Sequence, residues 1–84
     1  MMPQIMIVDD ETTIVDLLEV YLNNEGYTVH KFYNATDALA FVESNLIDLA
    51  VLDVMLADMD GFALLQKIRE KHLFPQARYG NRGV

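Results

Sequence analysis

Two short apolar runs in this 84-residue chain each end directly on carboxylates. Gln4-Ile5-Met6-Ile7-Val8 meets Asp9-Asp10-Glu11, and Leu46-Ile47-Asp48-Leu49-Ala50-Val51-Leu52 meets Asp53. Neither run alternates cleanly between apolar and polar residues, which is how a strand covered on both faces reads. Strands of that kind belong to parallel sheets flanked by helices, so this feature restricts the chain to α/β architectures.

The intervening segments fit. After Thr12, Thr13 and Asp16 form a capping-box pattern, and Ile14, Leu17, Leu18, Tyr21 and Leu22 fall on one helical stripe, stopped by Asn23-Asn24-Glu25-Gly26. Tyr27 to Phe32 is β-prone. Asn34 with Asp37 offers a second cap, followed by the stripe Ala35, Ala38, Leu39 and Val42. Beyond the loop Val54 to Asp60, Gly61 opens a third helix with Leu64, Leu65 and Ile68 inward. Lys67, Arg69 and Lys71 lie near its end, where cations complement the helix dipole. The order is βαβαβα, which implies a parallel sheet with right-handed crossovers and helices on both faces. The 52% apolar content suits a globular domain, and the length permits one.

Charge and cysteine content remove several function classes. A formal charge of −7 disfavours phosphate-backbone binding, so direct nucleic-acid binding by this chain is not expected. With no cysteine there is no disulfide framework or thiolate metal site, and the cytoplasm is the expected compartment. The N-terminus lacks the features of a signal peptide, and no run of about 18 apolar residues occurs, so no membrane span is expected. Phosphate-binding glycine loops, metalloprotease helices and nucleophile elbows are absent. His30 and His72 read as solvated surface residues rather than a metal pair, Tyr21 and Tyr27 as packing residues, and Met6, Met55 and Met59 as core or loop fillers.

In open parallel sheets, ligands bind beyond the carboxyl ends of the strands. Asp9, Asp10 and Asp53 stand at such ends. If the first and third strands are neighbours, three carboxylates converge, and their mutual repulsion favours a bound hard cation, Mg²⁺ above all. The structural alternative is that Asp9, Asp10 and Glu11 only favour the first helix N-terminus.

Together, Ile5 to Glu11, Asp48 to Leu56 and Met59-Asp60-Gly61-Phe62 resemble the receiver domain of two-component response regulators. The similarity is to the winged-helix transcription-factor branch and to regulators of the VanR kind. The resemblance implies a flavodoxin-like receiver fold, represented here by a three-stranded parallel sheet in the order 2-1-3 with three helices. It implies that Asp53 is the phosphoacceptor for a sensor histidine kinase. It also implies that Asp9, Asp10, Asp53 and the backbone carbonyl of Met55 form the Mg²⁺ site, Asp9 acting mainly through water. The protein is then a signalling module rather than an enzyme.

Residues 1–75 match this pattern as a partial receiver, and residues 76–84 diverge from it. The family's fourth strand ends in Thr or Ser and its fifth in Lys, whereas Gln76 to Val84 contains none of these. That tail is expected to be disordered, leaving the third strand as a bare apolar edge through which the chain self-associates. An ordering cost weighs against Arg78 or Arg82 replacing the lysine. The alternative function is therefore a truncated receiver remnant or interaction module without phosphotransfer.

Overall fold

The computed structural model describes residues 2–72 and 78–82, with side chains through residue 70. Its elements are β1 (Gln4–Val8), α1 (Thr12–Asn24), β2 (Thr28–Phe32), α2 (Ala35–Val42), β3 (Leu49–Asp53), α3 (Gly61–His72) and β4 (Arg78–Arg82). The strands form one sheet in the order β2-β1-β3-β4, with every pair parallel. The expected order 2-1-3 and the three helices are thus present, and a fourth strand extends the sheet.

The two apolar runs behave as fully covered strands because successive side chains serve opposite faces. Met6 and Val8 of β1, with Ala50 and Leu52 of β3, pack against α2 and α3 through Ala35, Ala38, Val42, Leu64, Leu65 and Ile68. Ile5 and Ile7 face the other way, onto Val15 of α1, with Leu18, Leu22, Leu49 and Val51 partly buried around them. The result is three layers, with α1 on one side of the sheet and α2 and α3 on the other.

Local signals set most boundaries. Gly26 takes φ 91°, and the Gly26 N–H reaches the Asn23 carbonyl while Tyr27 N–H reaches that of Leu22, closing α1 with a Schellman turn. Asn34 caps α2, its side chain accepting from Asp37 N–H as the sequence predicts. Asp60 opens α3 by accepting from Phe62 N–H at 2.7 Å. Lys31 ties β2 to α1 through Asp16 at 3.3 Å and Glu19 at 3.0 Å, and these partners, Glu19 first, raise its pKa well above the usual lysine value.

Several expectations need correction. The Thr13–Asp16 box does not cap α1: Glu11 is the N-cap residue and makes no side-chain capping bond. The inward face of α1 is Val15, buried, with Leu18 and Leu22 partly buried beside it, while Leu17, Val20 and Tyr21 are exposed. The third strand begins later than its apolar run. Leu46 is exposed, and Asp48 is held against Gln4, donating N–H to its carbonyl and accepting Gln4 N–H on its carboxylate, both at 2.7 Å. His30 is no solvated histidine: it is half-buried, its Nε2 hydrogen-bonds Gln4 Oε1 at 2.7 Å, and its ring lies 4.7 Å from that of Phe41.

The bare edge expected at β3 is not found. Leu49 to Asp53 pairs with Arg78 to Arg82, so that Arg82 is the register partner of Asp53. Tyr79, Gly80 and Asn81 show no apolar alternation, but the peptide groups along β3 need partners, and a parallel strand can supply them whatever its side chains. The remaining tail residues, 76, 77, 83 and 84, and the His72 side chain lie outside the described residues.

Candidate functional site

The site is built by register. Val8 of β1 faces Leu52 of β3 in a parallel pair, so the next residues, Asp9 and Asp53, emerge side by side at the carboxyl edge of the sheet. Asp10 follows Asp9 directly. Carboxylate oxygens of Asp9, Asp10 and Asp53 lie within 4.8 Å of one another; Asp9 and Asp53 are buried and Asp10 is exposed. The structure therefore brings together all three acids singled out from sequence.

Backbone donors orient two of them. Glu11 N–H reaches Asp9 Oδ1 at 2.9 Å, and Met55 N–H reaches Asp53 Oδ1 at 3.1 Å. Both are turns in which a side chain engages the backbone two residues on, a habit of aspartate at the start of loops. The Glu11 contact also gives the Asp-Asp-Glu run its structural explanation: Asp9 shapes the entry to α1 while remaining part of the cluster.

Three anionic groups this close repel one another, and oxygen-only donors suit a small hard cation. Mg²⁺ sits about 2.0–2.1 Å from each ligand and keeps several waters. Direct ligands of one such ion stand at most about 4.2 Å apart, so carboxylate oxygens within 4.8 Å of one another suit an ion that some of them reach directly and others through its bound water. Met55, the fourth residue of the expected set, is largely exposed beyond Asp53 and forms an antiparallel bridge with Asp60.

The loop that carries Met55 is closely packed at its far end. Gly61 N–H reaches the Val54 carbonyl at 2.9 Å, and a β-carbon at position 61 would overlap the Asp53 carbonyl oxygen. Leu56 is buried in the core under α2 and α3. Sequence reasoning missed Asp58. Its carboxylate accepts hydrogen bonds from Ala35 N–H at 3.0 Å, Thr36 N–H at 3.0 Å and Thr36 Oγ1 at 2.9 Å. These bonds, the Ala35 contact foremost, hold its carboxyl below the usual aspartate range. Its partners precede it by more than twenty residues, so no local spacing announces the contact.

Known proteins share this arrangement. The sequence profile of the response regulator receiver domain matches residues 5–78. The regulatory protein VanRc of Enterococcus gallinarum is 56% identical over 75 residues, covering 89% of this chain and 32% of that protein. The regulatory protein VanR of Enterococcus faecium is 52% identical over the same length and with the same coverage. The chain thus spans about a third of the length of these relatives. Among solved structures, a CheY-like receiver domain protein from Methanospirillum hungatei JF-1 superposes with a TM-score of 0.89 at 28% identity, over 100% of this chain and 84% of that one. The response regulator TrrA from Thermotoga maritima, solved in complex with Mg²⁺-BeF, superposes with a TM-score of 0.82 at 33% identity, over 93% of this chain and 66% of that one.

Proposed function

This chain belongs to the receiver-domain family of two-component response regulators, and from that premise we propose that Asp53 accepts a phosphoryl group from a sensor histidine kinase, with Mg²⁺ held by Asp9, Asp10, Asp53 and the Met55 carbonyl. The observation that carries the proposal is the convergence of three carboxylates from the ends of two adjacent strands. When bound, Mg²⁺ supplies positive charge against the oxygens of the incoming phosphoryl group. The residues do the rest by position. Asp9 and Asp53 are fixed through Glu11 N–H and Met55 N–H, so little reorganisation remains when the donor arrives.

In the transfer, an Asp53 carboxylate oxygen forms the new O–P bond as the N–P bond of the phosphohistidine breaks. The electron pair of that bond returns to the imidazole nitrogen, which takes up a proton. The carboxylate is consumed once per phosphoryl group, so the chain acts as a signalling acceptor rather than as an enzyme that turns over. The cytoplasm is the compartment in which such a kinase would meet it. Among the described residues, no helix is long and apolar enough to cross a membrane. The acidic balance of the chain does not suit direct contact with nucleic acid.

A second reading, an interaction module without phosphotransfer, draws on the absence of Thr, Ser and Lys from Gln76 to Val84. Self-association, where it occurs, would use β2 and β4, the outer strands of the sheet, because β3 is already paired on both sides.

The deciding experiment incubates the chain with Mg²⁺ and a small phosphodonor and records its intact mass beside an Asp53→Ala control. One phosphoryl adduct, absent from the control, is expected. A folded protein that acquires no adduct would overturn the acceptor reading and leave the interaction module.

A further inference from the structure

The loop from Val54 to Asp60 joins the acceptor residue to α3, and its shape decides where the Met55 backbone stands relative to Asp53. Its two ends are tied to each other, through Gly61 N–H to the Val54 carbonyl and the Met55–Asp60 bridge. These bonds close the loop without anchoring it to the rest of the molecule. The anchors are Leu56, buried in the core with Ala35, and Asp58, which accepts three hydrogen bonds from Ala35 and Thr36. The Asp60 side chain bonds to the helix that follows it, α3, whereas the side-chain hydrogen bonds that reach α2 are, among the described residues, those of Asp58.

These bonds reach beyond the cap that α2 carries in its own sequence. Asn34 accepts from Asp37 N–H, so the two N–H groups before it, that of buried Ala35 and that of exposed Thr36, are served by a residue more than twenty positions away. A carboxylate brought from the acceptor loop ties two separate parts of the chain together. Both of its oxygens are engaged, Oδ1 taking Ala35 N–H while Oδ2 takes both donors of Thr36.

We propose that Asp58 is a positioning residue of the acceptor site, clamping the Val54–Asp60 loop to the first turn of α2 and thereby setting the site's affinity for Mg²⁺ through the placement of Met55. The inference rests on the reading of Asp53 as acceptor and of the Met55 carbonyl as a cation ligand. It assigns to Asp58 no contact with the ion. Groups that orient ligands commonly change metal affinity about 10- to 100-fold when removed, and a clamp acting through intervening residues should do less.

The test titrates the whole chain with Mg²⁺, following the Met55 amide by nuclear magnetic resonance, for the wild-type protein and for Asp58→Ala, Thr36→Val and Thr36→Ser. Asp58→Ala is expected to raise the Mg²⁺ midpoint by about three- to tenfold, below the range for groups that touch a ligand directly. Thr36→Val should raise it by a smaller factor. Thr36→Ser, which keeps the hydroxyl, should restore the wild-type midpoint, and the double variant Asp58→Ala/Thr36→Val should be no weaker than Asp58→Ala alone. A lower melting temperature with an unmoved midpoint would reduce Asp58 to a helix cap and overturn the proposal. If Asp58→Ala does not fold, Thr36→Val decides by itself, an unchanged midpoint counting against the clamp. A wild-type chain with no saturable Mg²⁺ response would remove the acceptor reading and this inference together, whereas a wild-type response with an unshifted Asp58→Ala midpoint removes this inference alone.

Discussion

The backbone of Gly61 passes so close to that of Asp53 that a β-carbon at position 61 would overlap the Asp53 carbonyl oxygen and lie 2.8 Å from the Val54 α-carbon. Both obstacles are main-chain atoms, which cannot swing aside as a side chain would. Gly61→Ala should therefore force the start of α3 away from the end of β3, at a cost of about 1–3 kcal/mol, as for other overpacked sites. Urea unfolding measures the loss. An unaltered midpoint of denaturation would mean that the two segments separate freely.

The carboxylate cluster makes an opposite prediction for Asp10. Asp10 is the exposed member of the three, and neutralising it relieves repulsion without opening the core. In the absence of divalent ions, Asp10→Asn should stabilise the chain by a few tenths to about 1 kcal/mol, the scale of a close charge pair in water. On addition of Mg²⁺, the wild-type protein should gain stability by ligand linkage and the variant should gain little. Thermal unfolding with and without Mg²⁺ checks both halves.

Asp58 should leave a signature in acid. Hydrogen bonds from Ala35 and Thr36 depress its carboxyl below the ordinary aspartate value, which is about 3.9. A carboxyl depressed in the folded state contributes stability that is present above its unfolded value and lost as pH falls through its folded value. The stability difference between wild type and Asp58→Asn should accordingly shrink below the ordinary aspartate range, modestly, because the group is exposed and solvent-screened. Unfolding curves across that range test it; a pH-independent difference would show that the charge on Asp58 is immaterial.

Removal of β4 should change the association of the chain. Arg78 to Arg82 covers the outer side of β3, a strand rich in apolar residues. A chain ending at residue 77 would present those peptide groups to solvent and to other chains, inviting intermolecular pairing. Light scattering over a concentration series should show larger species for the shortened chain than for the full one. Equal masses at every concentration would mean that β4 does not protect that edge.

The ends of β1 and β3 were legible because each apolar run meets a carboxylate, and the register of two parallel neighbours then brings Asp9 and Asp53 together. The cap at Asn34 and the inward stripe Leu64, Leu65 and Ile68 were equally readable, since both depend on residues a few positions apart. The buried face of α1 was not. Apolar residues occur at Ile14, Val15, Leu17, Leu18, Val20, Tyr21 and Leu22, nearly around the helix, so periodicity alone cannot choose between Val15 and Leu17. β4 escaped notice for a different reason: its sequence has no strand pattern, and what orders it is the hydrogen-bonding edge of β3. The clamp at Asp58 was hidden because it joins segments distant in the chain.

β1 lies inside the sheet, with a neighbour on each side. Asp9 and Asp10 extend from a strand flanked by β2 and β3, with Ile5, Met6, Ile7 and Val8 all buried, whereas Met55 is itself exposed, on a loop held from below by Leu56 and from the side by Asp58. The two sides of the site thus belong to regions of different local stability. Amide protons of β1 should exchange with solvent only when the whole domain opens, and those around Met55 should exchange through small local openings. The floor of the site is thus held by the core of the folded chain, while its rim depends on a few local bonds that can open and re-form without unfolding anything beneath them.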